Sequence, residues 1–359
     1  MHRLLANPRI QSWAARIPLL REVARRDGAA IFDLLQGFAK TQSLLAVVEL
    51  RILHRLMDGP MSATDLARSC GVPPESMAIL LQAAAGIGLL RRRRSGDFAL
   101  ARKGAVLAGV PGLEEMIRHN RLLYRDLEDP VAFLRRETSP EIASFWPYVF
   151  GAGAASDPEI ARRFSRLMAD SQGLVAADTL ATISLKGVRR LLDVGGGTGV
   201  FLTEVARRHA SVRLALFDLP AVAPAARHRL AAAGLTERAT VHEGSFHTDP
   251  LPRGADAVSL VRVLYDHEDA TVRRLLDKIH EILPAGGRLV ISEPMSGGTR
   301  PDTATDVYFA FYTRAMGTGR TRSQADIIAL CAQAGFTDLK AHAPRRSFVT
   351  SVVSARKPG

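Results

Sequence analysis

The sequence predicts an α/β protein with a doubly wound sheet in its C-terminal half and a mainly helical N-terminal half. Three observations lead to this fold class. From Val188 onward, short apolar runs alternate with helical patterns at the spacing of strand–helix–strand crossovers. The apolar run Leu191–Val194 leads into the glycine-rich turn Gly195–Gly199 and then a helical pattern, as in nucleotide-binding sheets. Before Val188, apolar residues recur mostly at helical spacing.

Length and composition bound the domain organisation. The chain has 359 residues, 47% of them hydrophobic, which suits two or three globular domains. We expect a helical and winged-helix domain over 1–110, a helical connector with substrate-pocket helices over 111–185, and the doubly wound domain over 186–359. The sequence has neither an apolar run of about 20 residues nor a secretory signal pattern, so we expect a cytoplasmic protein.

The net charge and the cysteine content limit which kinds of partner are possible, but they do not identify one. The net charge of +12 arises from 48 Lys and Arg against 36 Asp and Glu, and it permits binding to nucleic acid, anionic lipid or acidic ligands. Most of the excess is arginine scattered along helical patterns, which is typical of a GC-rich coding bias. Cys70 and Cys331 lie far apart in apolar patterns without ligands at metal spacing, which predicts buried thiols and no metal site.

Residues 1–40 carry apolar side chains at helical spacing, with arginines mostly off that stripe. Two interpretations are open: an amphipathic helix that lies on a membrane surface, or a helix packed on a partner subunit, which we favour. Pro18 interrupts the pattern and argues against one long surface helix.

Residues 41–100 have the order of a winged helix. An apolar helix, Leu44–Leu56, precedes a helix with an N-cap at Ser62, a second helix, and a β-hairpin that turns at Ser95–Asp97. With the arginine run Arg91–Arg94, this order permits DNA binding. The second helix, however, offers a single glutamine to read base edges, so we expect it to pack against protein.

Residues 101–180 are mostly helical in pattern and contain the densest aromatic stretch, Phe145–Phe150, before a helix predicted near Pro158–Leu180. An aromatic segment ahead of a cofactor domain favours the wall of an apolar substrate pocket. Ordinary packing between helices is the alternative for each of these side chains.

The predicted sheet domain alternates strands and helices. The strands are Arg189–Val194, Val212–Asp218, Ala239–Glu243, Ala255–Val263, Gly287–Glu293 and Phe348–Ala355, with helices near Phe201–His209, Ala221–Ala233, Thr271–Leu283 and Ser323–Ala334. In such sheets ligands bind beyond the carboxyl ends of the strands, so the residues that follow each strand are the candidate site residues.

The first two strands carry the features of a nucleotide site. Asp193 is followed by alternating glycines, and Val200 stands where a dinucleotide fingerprint needs its third glycine, which disfavours a nicotinamide oxidoreductase. Asp218 ends the second strand about 20 residues past the turn, where a carboxylate can accept hydrogen bonds from ribose. The candidate residues here are Asp193, Gly195, Gly197, Gly199, Asp218 and Leu219.

The later strands add groups that can do chemistry. Ser245 and Phe246 follow the third strand, where the ring of Phe246 can meet an adenine. A tyrosine, a histidine and several acids follow the fourth and fifth strands and converge on the same edge of the sheet, which suits general acid–base work. These residues are Tyr265, Asp266, His267, Glu268, Asp269 and Glu293.

This order of features resembles the S-adenosylmethionine (SAM)-dependent O-methyltransferases of the plant caffeate and bacterial antibiotic type. The resemblance covers nearly the whole chain from about residue 40 and rests on Asp193–Gly199, Phe217–Pro220, Leu264–Asp269 and Ser292–Pro294. It implies a Rossmann-like sheet domain, SAM as cofactor, and a winged helix that serves as a dimerisation module for a homodimer and does not read DNA.

The resemblance also assigns cofactor contacts. It implies that the glycine turn holds the methionine end of SAM and that Asp218 holds the ribose. Ser245 and Phe246 would meet the adenine, although Ser245 stands where the family has an aspartate. The cofactor-binding set is completed by Asp193, Leu219 and Arg262.

Within that family, four motifs look like the carotenoid O-methyltransferases of purple phototrophic bacteria: Val261–His267, Glu293–Gly298, Asp306–Thr313 and Ala315–Arg322. Those enzymes methylate a tertiary hydroxyl at one end of a polyene, in demethylspheroidene or hydroxyneurosporene. The resemblance implies a small apolar hydroxylated substrate and favours peripheral contact with the inner, photosynthetic membrane. Bacteriochlorophyllide and polyketide or phenolic acceptors are alternatives, and the alternative without enzyme activity is a winged-helix DNA-binding regulator.

The catalytic base position departs from the wider family. That family has a His-Asp-Trp sequence whose histidine is the general base, whereas Tyr265, Asp266 and His267 stand here. One family carboxylate matches Glu293, and another falls near Thr321, which has no carboxylate. Because a tertiary alcohol is far less acidic than a phenol, we hypothesise that Tyr265 or His267 contacts the hydroxyl and takes its proton during transfer, with Glu293 orienting.

Overall fold

The computed structural model describes residues 2–14, 17–145, 171–346 and 349–359. Two predicted features lie partly outside the described residues: the aromatic stretch after Phe145 and the first part of the helix predicted near Pro158–Leu180. The chain divides into two compact units, Met1–Arg118 and His119–Gly359. The three-part domain division of the sequence stays a prediction. No helix among the described residues is long and apolar enough to cross a membrane.

The first unit is helical apart from one β-hairpin. Its elements are α1 (His2–Leu5), α2 (Pro8–Ala14), α3 (Pro18–Leu35), α4 (Gly37–Glu49), α5 (Ile52–Arg55), α6 (Ala63–Cys70), α7 (Pro74–Gly86), β1 (Leu90–Arg92), β2 (Phe98–Leu100), α8 (Arg102–Gly109) and the start of α9 (Leu113–Asp126). β1 and β2 pair antiparallel with Leu90 opposite Leu100. This order matches the predicted winged helix.

Local chemistry sets several helix ends in this unit. The Ser62 hydroxyl accepts a hydrogen bond from the Asp65 amide at 3.1 Å and caps α6, as the sequence predicts. Pro18 is the first residue of α3, where its missing N–H has no partner to lose. The prediction of a single apolar helix over Leu44–Leu56 is wrong. Arg51 adopts a left-handed φ of 54° and separates α4 from α5.

One burial prediction for this unit is wrong. Cys331 of the second unit is buried as expected, but Cys70 at the end of α6 is only half-buried. The helix predicted to pack against protein, α7, buries Met77 and Leu81 yet leaves Ile79 73% exposed. The helix therefore packs on one face within its own unit and presents an apolar side chain on the other.

The second unit consists of a sheet with flanking helices. Its elements are the rest of α9, α10 (Pro130–Arg135), α11 (Glu141–Phe145), α12 (171–182), β3 (Arg190–Val194), α13 (Val200–Arg208), β4 (Arg213–Asp218), α14 (Ala223–Ala232), β5 (Ala239–Glu243), β6 (Ala257–Val261), α15 (Asp269–Ile282), β7 (Arg288–Glu293), α16 (Thr303–Asp306), α17 (Phe309–Ala315), α18 (Gln324–Gln333), β8 (Thr337–His342) and β9 (Ser351–Arg356). A short 3₁₀ turn, Leu264–Asp266, follows β6.

The sheet topology confirms the doubly wound prediction. In the described residues the strand order is β5-β4-β3-β6-β7-β9-β8, with β3 to β7 mutually parallel and β9 antiparallel to both of its neighbours. The chain winds outward from β3 to β5, returns, and winds the other way from β6, so the order reverses between β3 and β6. The sequence does not predict strand β8, because this largely exposed edge strand, Thr337–His342, has only two apolar side chains, Leu339 and Ala341.

Both faces of the sheet are covered by helices. Successive residues of β3 point to opposite faces, so Leu191 packs in one cluster with Phe201 of α13, whereas Leu192 packs in another with Val272 of α15 and Ile327 of α18. Burial on both faces explains why the central strands are continuous apolar runs in the sequence. These two clusters fix the strand ends that carry the candidate site.

The close approach of α8 to β1 yields a stability prediction. A Cβ at Gly104 would lie 2.3 Å from the backbone oxygen of Leu89, so Gly104→Ala must displace one of these elements. We expect a loss of about 1–3 kcal/mol in the free energy of unfolding, measured by urea unfolding followed by circular dichroism. The matched control is Gly109→Ala in the same helix, where no described atom lies within 4 Å of the new Cβ. Equal unfolding midpoints for the two variants would contradict the steric argument.

Candidate active site

The carboxyl ends of the parallel strands bring the predicted site residues to one edge of the sheet. The turn after β3 contacts the end of β4, since the Gly197 amide donates to Asp218 Oδ2 at 2.7 Å. The turn after β6 contacts the end of β7, since the Tyr265 amide donates to Glu293 Oε2 at 3.1 Å. Groups that are far apart in the sequence therefore share one small region.

The glycine turn has a backbone that other residues would strain. Gly195, Gly197 and Gly199 have φ values of 68°, 58° and 79°, in the left-handed region that favours glycine. A Cβ at Gly195 would lie 2.8 Å from Cγ2 of Val263, so the turn also passes close to the residues after β6. At Gly197 no described atom lies within 4 Å of the Cβ position, which leaves open space above the turn.

Asp218 is held as a hydrogen-bond acceptor at the end of β4. Its Oδ1 accepts from the Leu219 amide and its Oδ2 from the Gly197 amide, both at 2.7 Å. Burial raises the pKa of Asp218 to about 6, and these two amides partly offset that rise. Each carboxylate oxygen keeps lone-pair capacity for a further donor.

Asp193 lies beneath the glycine turn. Its Oδ1 accepts from the Ser259 hydroxyl at 2.6 Å, and its buried Oδ2 has no hydrogen-bond partner among the described residues. A Cβ at Gly196 would lie 2.7 Å from Oδ2, so the carboxyl group touches the underside of the turn. Burial, and then the nearby charge of Asp218, raise the pKa of Asp193 to about 7.

The loop after β5 is fixed by its own polar contacts. The Ser245 amide donates to Asp249 Oδ2 at 2.7 Å, which closes the loop on itself. Lys278 of α15 donates to the backbone oxygen of Phe246 at 2.8 Å and so ties the loop to the helix. The Phe246 ring is consequently held in one place at the edge of the sheet.

His267 packs against this loop. Its ring meets the Phe246 ring edge-on at a centroid distance of 5.2 Å, His247 stacks on Phe246 at 4.7 Å, and the two histidine rings lie 5.3 Å apart. Burial, and then the nearby His247 and Arg322, lower the pKa of His267 to about 3. The imidazole is therefore neutral at physiological pH and belongs to an aromatic cluster with Phe246.

Arg262 links the turn after β6 to α12. Its φ of 61° is unusual for a residue with a side chain and costs about 1–3 kcal/mol of strain. The guanidinium donates to the Ser171 hydroxyl at 2.8 Å. Burial opposes its charged form, but a hydrogen bond with the adjacent Tyr265 and the nearby Asp266 carboxyl group outweigh burial and raise the pKa of Arg262. Arg262 is thus the positive charge nearest to the tyrosine.

Tyr265 and Glu293 are both enclosed, with exposures of 2% and 0%. Burial raises the pKa of the Tyr265 phenol far above its usual value, and the Arg262 charge only partly opposes this, so the phenol stays protonated. Burial raises the pKa of Glu293 to about 7, and Arg322 and the backbone amides near Tyr265 limit the rise. Glu293 Oε1 has no hydrogen-bond partner among the described residues. Glu293 can therefore exchange a proton near neutral pH.

The sequence reasoning missed polar groups contributed by helices. The Tyr308 hydroxyl donates to Asn120 Oδ1, and the Tyr312 hydroxyl bonds His119 Nε2, each at 2.7 Å. Burial raises the pKa of Tyr308 far above its usual value, and the nearby Tyr124 and Tyr265 raise it further. No strand end precedes these residues, so the strand rule cannot find them; tyrosines one helical turn apart were the available signal.

Metal ligation has no support in the part of the chain that the structure describes. Among those residues, no three His, Cys, Asp or Glu side chains are grouped so that they can hold an ion. The polar groups of this edge are instead acids, a tyrosine and backbone amides, which suit hydrogen bonding to an organic ligand.

Solved structures with the same architecture are methyltransferases. The apo structure of the SAM-dependent methyltransferase SibL has a TM-score of 0.76 and 29% identity, over 92% of this chain and 99% of that one. A methyltransferase of calicheamicin biosynthesis, in its SAH-bound form, has a TM-score of 0.75 and 25% identity, over 93% and 98% of the two chains. Fold and site together define a SAM-dependent methyltransferase, which confirms the predicted cofactor.

Family models and relatives define the class more closely. An O-methyltransferase domain model matches residues 124–337, and an O-methyltransferase dimerisation domain model matches residues 32–107. The chain is 55% identical over 356 residues to a demethylspheroidene O-methyltransferase of Cereibacter sphaeroides, covering 99% of this chain and 94% of that protein. It is 48% identical over 355 residues to one of Rhodobacter capsulatus, covering 99% and 88%. The chain belongs to the O-methyltransferase family, and the dimerisation domain supports the predicted homodimer.

The burial of Asp193 predicts how the stability of the folded protein changes with pH. Its folded-state pKa of about 7 exceeds the ordinary value of 3.8, so its contribution to stability is present below about pH 4 and is lost as the pH rises to about 7. We expect Asp193→Asn to gain stability relative to the wild type between about pH 5 and about pH 8, because the amide has no charge to bury.

Urea unfolding at each pH measures this difference. Asp338→Asn is the matched control, since the pKa of this exposed carboxyl is lowered by Lys340 and it stays ionised throughout the range. Parallel stability curves for Asp193→Asn and the wild type would contradict the argument.

Proposed function

We propose that the chain methylates a hydroxyl group of demethylspheroidene or a similar carotenoid, with SAM as the methyl donor. The observation that carries this proposal is the identity of 55% and 48%, over 99% of the chain, to two demethylspheroidene O-methyltransferases. Tyr265 at the base position supports it. A tertiary alcohol cannot be deprotonated in advance near neutral pH, so this acceptor does not require the histidine base that suits a phenol.

The residues of the glycine turn fit SAM. The space above Gly197 is open, and Asp218 can still accept from ribose hydroxyls after bonding two amides. In this proposal the turn from Gly195 to Gly199 borders the methionine end, and Leu219 lies beside the ribose. Asp193 supports the turn from below, because its carboxyl group is enclosed by protein.

The cluster of Phe246 and His267 belongs to the adenine side of the proposed site. Phe246 follows β5 and His267 follows β6, at the same edge of the sheet as the turn, and their rings touch at a centroid distance of 5.2 Å. Ser245 completes this side through its fixed backbone. A histidine whose pKa is lowered to about 3 is also a poor base at neutral pH. We therefore assign the acceptor contact to Tyr265 and not to His267.

Tyr265 and Glu293 form the acceptor side. When bound, SAM supplies an electrophilic methyl group, so the main task of the residues is to hold the acceptor oxygen in line with it. The protonated Tyr265 hydroxyl donates a hydrogen bond to the acceptor oxygen and orients it, which leaves the single hydrogen of the acceptor hydroxyl to be donated to Glu293. The acceptor loses one proton on methylation, and Glu293, with a pKa of about 7 and an unbonded Oε1, is the group that we assign to hold it. Arg262 borders both sides.

Substitutions separate the two sides of the site. We expect Tyr265→Phe to lower kcat by about 10- to 100-fold through lost orientation, with the Kd for SAM within about threefold of the wild type. Asp218→Asn should instead raise the Kd for SAM about tenfold or more, because a charged acceptor is lost. Transfer of labelled methyl from SAM to carotenoid, bacteriochlorin and phenolic acceptors measures kcat, and calorimetry measures Kd.

The matched variant for the assignment is His267→Phe, which keeps a ring beside Phe246. It should retain kcat within about tenfold. If His267→Phe abolished turnover at unchanged SAM affinity while Tyr265→Phe kept it, the acceptor contact would belong to His267. Methylation of a phenol or a bacteriochlorin but no carotenoid would overturn the proposed acceptor.

We also propose that the N-terminal helices contact an anionic membrane, from which so apolar a substrate must come. Trp13 of α2 and Val23 of α3 are 59% and 55% exposed, and the exposed Arg21, Arg25 and Arg26 lie on α3 with Val23. These residues precede the dimerisation match, which begins at residue 32. The exposed apolar residues within that match, including Leu34 at 82% and Phe38 at 74%, are assigned to the homodimer interface.

Deletion of residues 1–26 tests the membrane contact. We expect the full chain to cosediment weakly with vesicles that contain phosphatidylserine and the shortened chain to lose that binding, because it lacks both apolar and basic side chains. Pure phosphatidylcholine vesicles are the control for charge. The shortened chain should keep its dimeric mass in light scattering. Equal cosedimentation of both chains would refute the proposal.

A further inference from the structure

We propose that Arg322 is a positioning residue that holds the turn carrying Tyr265 in the orientation needed for methyl transfer. The inference rests on the proposed function for the role of Tyr265. It concerns a residue whose hydrogen bonds reach the main chain of the turn after β6 and not the side chains assigned to cofactor or acceptor. It rests on the hydrogen bonds between two chain segments, which we call the site turn (Leu264–His267) and the supporting segment (Thr318–Arg322).

The Arg322 side chain is buried inside the second unit, with 1% exposure. Its guanidinium donates to the backbone oxygen of Leu264 at 3.0 Å and to that of His267 at 2.8 Å. Its Nε donates to Asp269 Oδ1 at 2.8 Å, which supplies a counter-charge. One side chain therefore forms hydrogen bonds with both ends of the site turn and with the first residue of α15.

The supporting segment binds the remaining carbonyl groups of the site turn. The Arg320 amide donates to the backbone oxygen of Tyr265 at 2.8 Å. The Thr318 hydroxyl donates to the backbone oxygen of Asp266 at 3.0 Å. All four successive carbonyls, from Leu264 to His267, thus accept a hydrogen bond from Thr318–Arg322, and Arg322 provides two of the four.

Close approach of the two segments is built into the sequence. A Cβ at Gly319 would lie 2.7 Å from the backbone oxygen of Thr313 and 3.1 Å from that of Tyr265, so a side chain there would push the segments apart. The backbone of Arg322 is fixed as well, since its oxygen accepts from the Ser296 amide at 3.0 Å and Ser323 caps α18. The main chain that carries the Arg322 guanidinium is therefore fixed.

The geometry requires arginine in particular. Two carbonyls and a carboxylate lie around one planar group, which the fixed fork of a guanidinium can serve at once. A lysine carries the same charge but one small ammonium, so it cannot hold both ends of the turn. The Arg322 charge also acts on the site, because it limits the rise in the pKa of Glu293.

The test compares Arg322→Met and Arg322→Lys with Arg320→Met. Arg320 is the matched control, because its 61% exposed side chain pairs with the same Asp269 at 2.6 Å while its amide contact survives substitution. We expect Arg322→Met to lower kcat by about 100-fold with the Kd for SAM changed less than about fivefold, since small misplacements of reacting groups are costly. Arg322→Lys should recover part of kcat, and Arg320→Met should stay within about threefold.

Hydrogen exchange of the SAM-bound protein provides a readout that needs no acceptor. Arg322→Met should speed exchange of the amides over 264–268 while the amides of β3 and β4 keep wild-type protection, which also shows that the variant is folded. Wild-type protection over 264–268 in Arg322→Met, or equal losses of kcat and SAM affinity, would overturn the positioning role. Failure of the wild type to methylate any carotenoid would overturn the proposed function alone, since the exchange result still decides the role of Arg322.

Discussion

The parallel alignment of β3, β4, β6 and β7 is the constraint on which the rest of the site depends. It places the carboxyl ends of these strands at one edge, and the reversal of winding between β3 and β6 opens that edge to a ligand. The same alignment buries acids that ordinary surfaces would leave in water. Burial raises the pKa of Asp193, Asp218 and Glu293, so the edge is rich in carboxyl groups that titrate near neutral pH.

Much of this arrangement follows from the sequence because strands buried on both faces are recognisable as apolar runs, and the residue after each run is then a candidate. That rule led to Asp218 and Glu293, which do lie at the strand ends. It cannot reach groups that arrive from helices, such as Tyr308, or from a loop, such as Arg322. The break between α4 and α5 at Arg51 could not be predicted for a related reason. The left-handed conformation of an arginine does not change the spacing of the apolar residues around it.

Spacing alone also could not separate Tyr265 from His267, because both follow the same strand by a few residues. Their surroundings differ sharply in the folded chain. His267 joins a ring cluster with Phe246 and His247, whereas the Tyr265 amide bonds Glu293 and its ring lies near Arg262. Such a difference depends on how the turn after β6 is oriented, which is set by long-range contacts with residues 318–322.

The turn is held through its main chain, and this has a consequence for how such enzymes change acceptors. Every carbonyl from Leu264 to His267 is bonded by another segment, and none of these bonds uses the side chains of residues 265 or 267. Side chains on the turn can therefore be exchanged during evolution without rebuilding the scaffold that presents them. A tyrosine in place of a histidine then requires no change in the main-chain bonds of the turn, and libraries varied at these two positions start from a backbone that is held independently of either side chain.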